Sequence, residues 1–190
     1  MKKKSALIIS IALLVIVGIF AGWYVNTSKE LTEMRNLAKK YEADIQTELQ
    51  TRFEKVPNLV EIVQGAAKHE EKIISEIAQA RTKYNNALAS GDTNQMIQAD
   101  NDIKVVLTKI EENYPEIASM KMYQNLMDEY SGIEAAVNVA RRNYNEVVME
   151  YNNIVEGPLS SFVAQSKGFE RIEEFKASPE ANNPVKIEMD

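Results

Sequence analysis

The sequence comprises 190 residues, which is enough for one soluble domain of about 150 residues beside an apolar N-terminal stretch. Its formal net charge is −6 and it has no basic stripe, which disfavours nucleic acid as a partner because phosphate backbones repel an acidic domain. The chain has no cysteine, which excludes disulfides, thiolate nucleophiles and zinc–thiolate sites.

The N-terminal stretch is long and apolar enough to be a membrane anchor. Residues 6–25 carry no charge and follow lysines at positions 2–4. About twenty apolar residues cross a hydrocarbon core of about 30 Å as a helix, and Trp23 and Tyr24 stand where an interfacial aromatic belt would lie. We therefore expect residues 1–25 to form a single transmembrane helix.

Cleavage and orientation of this anchor are separate questions. A cleaved signal peptide is the alternative, because Ala21 and Gly22 are small, but Ile19 fits poorly at a cleavage site. The lysines at positions 2–4 favour a cytoplasmic N-terminus and an extracytoplasmic domain. We expect this N-in, C-out orientation, although four basic residues beyond the span oppose it: Lys29, Arg35, Lys39 and Lys40.

Two amphipathic helices are predicted next. Apolar residues recur every three or four positions through residues 27–55 and again through residues 59–88. Pro57 separates the two patterns, and proline is tolerated in a first helical turn but disrupts a helix interior. Pro57 is therefore expected to open a second helix that packs back along the first. Gly91 can end that helix, and Asp92 can cap the next one.

A third helix is predicted through residues 96–114, where Pro115 interrupts it, and a fourth through residues 123–155. Along the fourth helix a seven-residue repeat indicates close packing against a nearly parallel or antiparallel neighbour: Tyr123, Tyr130, Val137, Tyr144 and Tyr151.

Several short motifs are spread between roughly residues 25 and 175: Pro57-Asn58-Leu59-Val60-Glu61, His69-Glu70, Ala80-Arg81, Tyr114-Pro115, Glu134 and Ala140-Arg141-Arg142-Asn143-Tyr144-Asn145. Together they resemble the LemA family of membrane-anchored bacterial helical proteins. The resemblance implies an N-terminal anchor followed by a bundle of long helices, with other envelope proteins as partners. It also implies that an apolar C-terminal segment containing Phe169 and Phe175 covers one end of the bundle. It implies no reaction, because no biochemical activity is established for the family.

The expected fold is therefore all-α, with an antiparallel bundle of about four long helices over residues 26–175. The membrane anchor of residues 1–25 precedes this bundle. Residues 176–190 contain prolines, asparagines and acids but little to bury, and they are expected to form a disordered acidic tail.

The sequence argues against the common catalytic classes of helical proteins. Di-iron bundles need Glu-x-x-His on each of two helices, but His69 is the sole histidine and position 66 is alanine. A Gly-x-Ser-x-Gly turn and a glycine-rich phosphate loop are also missing. We expect a protein without catalytic activity, cofactor or metal, in which His69 is a surface or packing residue.

Polar residues beside the apolar seams form the candidate site: Asn58, Glu70, Arg81, Asn85, Glu134, Arg141 and Asn145. On the fourth helix Asn138 and Asn152 lie in the same row. The favoured interpretation is structural, with pairs that fix the register because a mispaired heptad would bury an unpaired arginine. Asn58 would cap the second helix or close the hairpin through side-chain to backbone bonds. The alternative is a groove for a partner peptide or helix.

One short motif occurs twice, as Ala80-Arg81-x-x-Tyr84-Asn85 and as Ala140-Arg141-x-x-Tyr144-Asn145. This repeat suggests two related helical hairpins.

The leading functional hypothesis is a single-pass bacterial membrane protein that displays its bundle as a scaffold or interaction module. Its partners would be envelope or membrane proteins, its membrane contact would be residues 6–25, and self-association through the tyrosine-rich helix faces remains open. The alternative is a ligand-sensing helical domain coupled to a membrane partner.

Overall fold

A computed structural model describes residues 2–66 and 71–176, with side chains from residue 7 onward. All regular secondary structure in these residues is α-helical, which confirms the predicted all-α class. The helices are α1 (Lys2–Phe53), α2 (Val56–Ala66), α3 (Glu71–Ser90), α4 (Thr93–Asn113), α5 (Pro115–Ala118), α6 (Lys121–Val155) and α7 (Ser160–Lys167). The expected tail lies outside the described residues except for Lys176.

Helix α1 joins the apolar N-terminal stretch to the first amphipathic pattern without a break. Among the described residues, it is the one helix long and apolar enough to cross a membrane. The apolar window has a mean hydropathy of 2.5, and none of it is buried. Length and composition alone support a span here, and a secretion signal would meet the same criteria.

Prolines and short caps set the ends of the remaining helices. Pro57 lies in the first turn of α2, as expected. Asn58 also lies inside this turn and is exposed, so it does not occupy the cap position that was predicted for it. Gly91 has a φ of +69°, and the Asp92 carboxylate caps α4 by accepting a hydrogen bond of 3.0 Å from the Gln95 N–H.

The chain divides into two compact units. The middle unit comprises residues 40–143 and the terminal unit comprises residues 1–39 and 144–190, so α1 and α6 each contribute to both. In the middle unit α3 packs on α4, and α2 contacts α3 and α5. Its fully buried apolar side chains include Ile45, Leu49, Leu59, Val63, Ile77, Ala87, Ala99, Ile110 and Ile117.

The terminal unit has its own small core. Leu31 from α1, Tyr151 from α6 and Ala164 from α7 are each at most 1% exposed. Partly buried apolar residues pack around these three: Met34, Ile154, Val155, Phe169 and Ile172. The short apolar segment after α7 therefore belongs to a hydrophobic core, since burying its side chains removes apolar surface from water.

The seven-residue repeat on α6 is confirmed as a buried seam within each unit. Tyr123, Tyr130 and Val137 are buried in the middle unit, and Tyr144 and Tyr151 are buried in the terminal unit. Burial of tyrosine raises the question of its hydroxyl, because a buried O–H usually needs a partner. In the terminal unit both hydroxyls donate to main-chain carbonyls of the segment after α7.

Candidate functional site: a buried ionic cluster and a main-chain clamp

The middle unit encloses an ion pair between α1 and α4. Arg52 Nη1 donates to Asp100 Oδ2 at 3.0 Å, and the two side chains are only 3% and 4% exposed. Both residues occupy the apolar faces of their helices, where a charge is costly unless it is paired. Arg52 follows Leu49 by three positions, and Asp100 follows Met96 by four, so each charge falls at helical spacing within an apolar row.

Two further charges complete the ionic cluster of Arg52, Asp100, Lys104 and Glu134. Glu134 Oε1 accepts from Lys104 Nζ at 2.7 Å, and Glu134 Oε2 lies 3.5 Å from Arg52 Nη2. Lys104 Nζ also lies 3.6 Å from Asp100 Oδ2. The Arg52 guanidinium lies 5.0 Å from the ring centroid of Tyr130, which adds a cation–π contact. The cluster thus links α1, α4 and α6 within the middle unit.

The two carboxylates of this cluster titrate in opposite directions. Burial raises the pKa of Asp100 above its ordinary value, because the favourable charges of Arg52 and Lys104 do not offset the loss of water. Burial also acts to raise the pKa of Glu134, but the hydrogen bond and charge of Lys104, with Arg52, outweigh it and lower that pKa. The difference follows from exposure, since the Glu134 side chain is 40% exposed.

The chemical capacity of the ionic cluster is limited by its pairing. Asp100 is buried away from any substrate, and the pairing of Glu134 with Lys104 makes that carboxylate a poor proton acceptor. In the described part of the chain, no group of three or more His, Cys, Asp or Glu side chains is placed to hold a metal ion. The arrangement is best suited to fixing which helix faces meet.

The predicted polar stripe is distributed over several places. Glu134 is part of the ionic cluster, and Arg141 lies nearby on α6, where burial lowers its pKa and the Asp100 charge opposes that shift. Arg81 and Asn85 are exposed on α3. Glu70 lies outside the described residues. Arg52 and Asp100 were not among the predicted site residues, although a charge inside an apolar helical row was visible in the sequence.

Arg81 and Asn85 line a groove of about 340 Å³ in the middle unit, which we call the α3 groove. Phe53 and Tyr84 form its floor as a stacked pair, with ring centroids 3.8 Å apart. Burial raises the pKa of Tyr84 to about 12, and its hydroxyl has no hydrogen-bond partner among the described residues. The groove is completed by Gln50, Glu54, Pro57 and Leu88.

Asn145 has a different environment in the terminal unit. Its side-chain amide donates to the Phe175 carbonyl at 2.8 Å, and its carbonyl oxygen accepts from the Phe175 N–H at 2.9 Å. Asn152 makes the same pair of bonds with Ile172, at 2.9 and 3.0 Å. Asparagine can do this because its amide carries a donor and an acceptor side by side, as the main chain does.

The neighbouring tyrosines add two more bonds to the same segment. The Tyr144 hydroxyl donates to the Glu173 carbonyl at 3.2 Å, and the Tyr151 hydroxyl donates to the Glu170 carbonyl at 2.9 Å. We call these four α6 residues the Asn–Tyr clamp, and the held residues 169–176 the extended segment. Tyr144 and Asn145 belong to the repeated motif, whereas Tyr151 and Asn152 follow them by seven residues.

The backbone of the held segment is nearly straight. Asn145 and Asn152 are two helical turns apart, which corresponds to about 10.5 Å along α6. Their partners Phe175 and Ile172 are three residues apart, and three residues cover about 10 Å only when the chain is extended. The segment therefore runs antiparallel to α6 in an extended conformation.

Comparison with known proteins identifies the family of this chain. The model of the LemA family matches residues 41–189. The chain is similar to Protein LemA of Metamycoplasma hominis, with 25% identity over 163 residues, which cover 85% of this chain and 74% of that protein. The residues that line the α3 groove and those that form the Asn–Tyr clamp all lie inside the matched range. This long helical chain, with its apolar N-terminal helix, is a member of the LemA family.

Proposed function

We propose that this protein is a membrane-tethered protein-interaction module of the bacterial cell envelope that carries out no reaction of its own. An exposed apolar stretch and a packed amphipathic stretch belong to one continuous helix, α1. An apolar surface of this length is stable in a bilayer rather than in water. Residues 6–25 are the proposed tether, and the domain lies outside the cytoplasm.

The α3 groove is the observation that carries the interaction role. Its walls combine the exposed polar residues Arg81 and Asn85 with Leu88, whose side chain is 43% exposed. Its floor is the stacked aromatic pair of Phe53 and Tyr84, which offers a partner side chain an apolar surface. Asn85 follows Tyr84 as Asn145 follows Tyr144 in the clamp. This parallel supports a segment of another envelope protein as the occupant of the groove.

Site-specific crosslinking in intact cells tests this role. A photo-crosslinking amino acid at Arg81 or Asn85 is expected to capture the same envelope protein, and Arg142, exposed on α6, provides a matched control position. Capture should be lost when Leu88→Asp is added, because a charge there opposes an apolar contact. Equal capture from Arg142, or capture that survives Leu88→Asp, would contradict the assignment.

Orientation needs its own measurement. A reporter enzyme that is active only outside the cytoplasm, fused after Asp190, is expected to be active because the lysines at positions 2–4 favour a cytoplasmic N-terminus. A stably expressed but silent fusion would place the helical domain on the cytoplasmic side.

A further inference from the structure

The hydrogen bonds of the Asn–Tyr clamp go to main-chain atoms. Asn145 and Asn152 each bond both the N–H and the C=O of one residue, and the two tyrosines bond two more carbonyls. Every residue except proline has both main-chain groups. These six hydrogen bonds are therefore independent of the sequence that is held, and an exposed ion pair between Arg171 and Glu156 at 3.0 Å adds a side-chain contact.

Apolar contacts supply the selectivity. Phe175 is buried, with its ring centroid 4.5 Å from that of Tyr144, and Phe169 meets Tyr151 edge to face at 6.4 Å. Ile172 packs against the same small core. These three side chains are spaced every third residue. The residues between them are exposed: Glu170, Arg171, Glu173 and Glu174.

The extended segment follows α7 directly, through Gly168, and one of its faces bonds to α6. Gly168 has a φ of +69°, in the left-handed region that favours glycine, and it ends α7. The segment contributes one outward face of charged residues and one inward face of three apolar residues. An extended segment that is held through its main chain and inserts apolar side chains at regular intervals has the contacts of a bound peptide.

We propose that the Asn–Tyr clamp is a peptide-binding site for an extended segment of another protein with apolar side chains at every third position. Residues 169–176 are the chain's own occupant, which such a segment displaces. This inference is independent of the α3 groove, and it names a site in the other compact unit. A tethered occupant competes at an effective concentration on the order of millimolar, so displacement requires a comparable concentration or a tighter peptide.

The first test uses the intact full-length chain in mild detergent. The added peptide, acetylated and amidated, reproduces residues 168–176. Hydrogen exchange is followed by NMR at the main-chain N–H groups of Ile172 and Phe175, which donate to the side-chain oxygens of Asn152 and Asn145. At several millimolar peptide, exchange at these two amides should accelerate at least tenfold while the amides of α3 and α4 remain unchanged. A peptide of equal composition with its apolar residues moved off the three-residue spacing should have no effect.

The second test weakens the resident segment. The full-length Ile172→Ala/Phe175→Ala chain should bind the labelled peptide at least tenfold more tightly than the intact chain, and Asn145→Asp with Asn152→Asp should reverse this gain. Asn138→Asp, at an exposed α6 position, is the matched control and should leave binding unchanged.

Three results would overturn the proposal. The first is unchanged exchange in the intact chain at the highest peptide concentration, which remains decisive if the weakened chain does not fold. The second is equal binding of the peptide with shifted spacing. The third is exchange that accelerates with protein concentration alone, because this would assign the clamp to the segment of a second copy.

Discussion

Arg52 and Asp100 pair at 3.0 Å inside the middle unit, although 48 residues separate them in sequence and both lie in apolar rows of their helices. Their pairing fixes which face of α1 meets which face of α4. A buried pair of this kind contributes more to specificity of packing than to net stability, since both ions lose their hydration.

Breaking this pair from one side should be far more harmful than removing it entirely. Arg52→Met leaves the Asp100 carboxylate buried and should lower the free energy of unfolding by about 3–5 kcal/mol. The Arg52→Met/Asp100→Leu double variant should recover most of that loss, because Lys104 still pairs Glu134. Chemical unfolding of the full-length chain in mild detergent measures both effects.

The partly exposed pair of Lys55 and Glu129, at 2.8 Å, provides the control for this comparison of single and double variants. Lys55→Met should cost less than about 1 kcal/mol, because a partly exposed pair gains little over hydration. Equal losses for Lys55→Met and Arg52→Met, or strictly additive effects of the two core changes, would contradict the assigned role of the pair.

Asp100 and Glu134 should impose opposite pH dependences on stability. The raised pKa of Asp100 gives a contribution that is present at low pH and is lost as the pH rises through the folded-state pKa. The lowered pKa of Glu134 gives a contribution that is present above the ordinary carboxyl pKa and is lost as the pH falls. Asp100→Asn should therefore gain stability relative to the natural chain as the pH rises between about 3 and 7.

Glu134→Gln should behave in the opposite way, with a deficit at neutral pH that shrinks on acidification. Unfolding free energies measured at several pH values for the three chains test this pair of signs. If the stability difference from the natural chain changed in the same direction with pH for both variants, the two carboxylates would not have the opposite pKa shifts assigned to them.

Charge substitution in the Asn–Tyr clamp should loosen the extended segment. Asn145→Asp and Asn152→Asp keep the side-chain shape but place an acceptor against a main-chain carbonyl, so each should cost about 1–2 kcal/mol. Hydrogen exchange at Phe175 and Ile172 should accelerate accordingly. Asn138→Asp lies on an exposed part of the same helix and should change neither quantity, and a similar loss there would argue for a general effect on α6.

Two glycines should respond oppositely to alanine. Gly168 has a φ of +69°, so Gly168→Ala should destabilise the chain by about 1–2 kcal/mol. Gly132 lies inside α6, where an added Cβ would meet nothing within 4 Å beyond the adjoining backbone of its own helix, so Gly132→Ala should stabilise the chain by about 0.5–1 kcal/mol. Thermal unfolding followed by circular dichroism separates the two, and equal shifts would contradict the backbone argument.

Apolar periodicity was sufficient to predict the long helical stretches of this fold but not the short helices α5 and α7. The repeat from Tyr123 to Tyr151 is local information, and its burial on α6 follows from packing within each unit. The partners of Arg52 and Asn145 could not be predicted in this way. The first depends on a tertiary contact over 48 residues, and the second on main-chain atoms, which carry no sequence signal.

The structure also refines two of the predicted site residues. Asn58 lies within the first turn of α2, because the helix begins before Pro57 rather than after it. Asn145 binds a segment of its own chain, so one predicted docking residue already has a peptide-like contact. The sequence pattern placed Asn145 beside the apolar seam correctly but gave no means to identify what it holds.

The bonds made by Asn145 and Asn152 do not involve the outward side chains of Glu170, Glu173 and Glu174, whereas Arg171 pairs with Glu156 at 3.0 Å. Mutational drift can therefore invert the charge at the three glutamate positions without detaching the segment from α6. Proline at Ile172 or Phe175 is the exception, because it deletes the N–H that the asparagine accepts. Variable outward side chains, combined with apolar residues and the absence of proline at the two positions held by asparagine, are the evolutionary signature that this mode of attachment should leave.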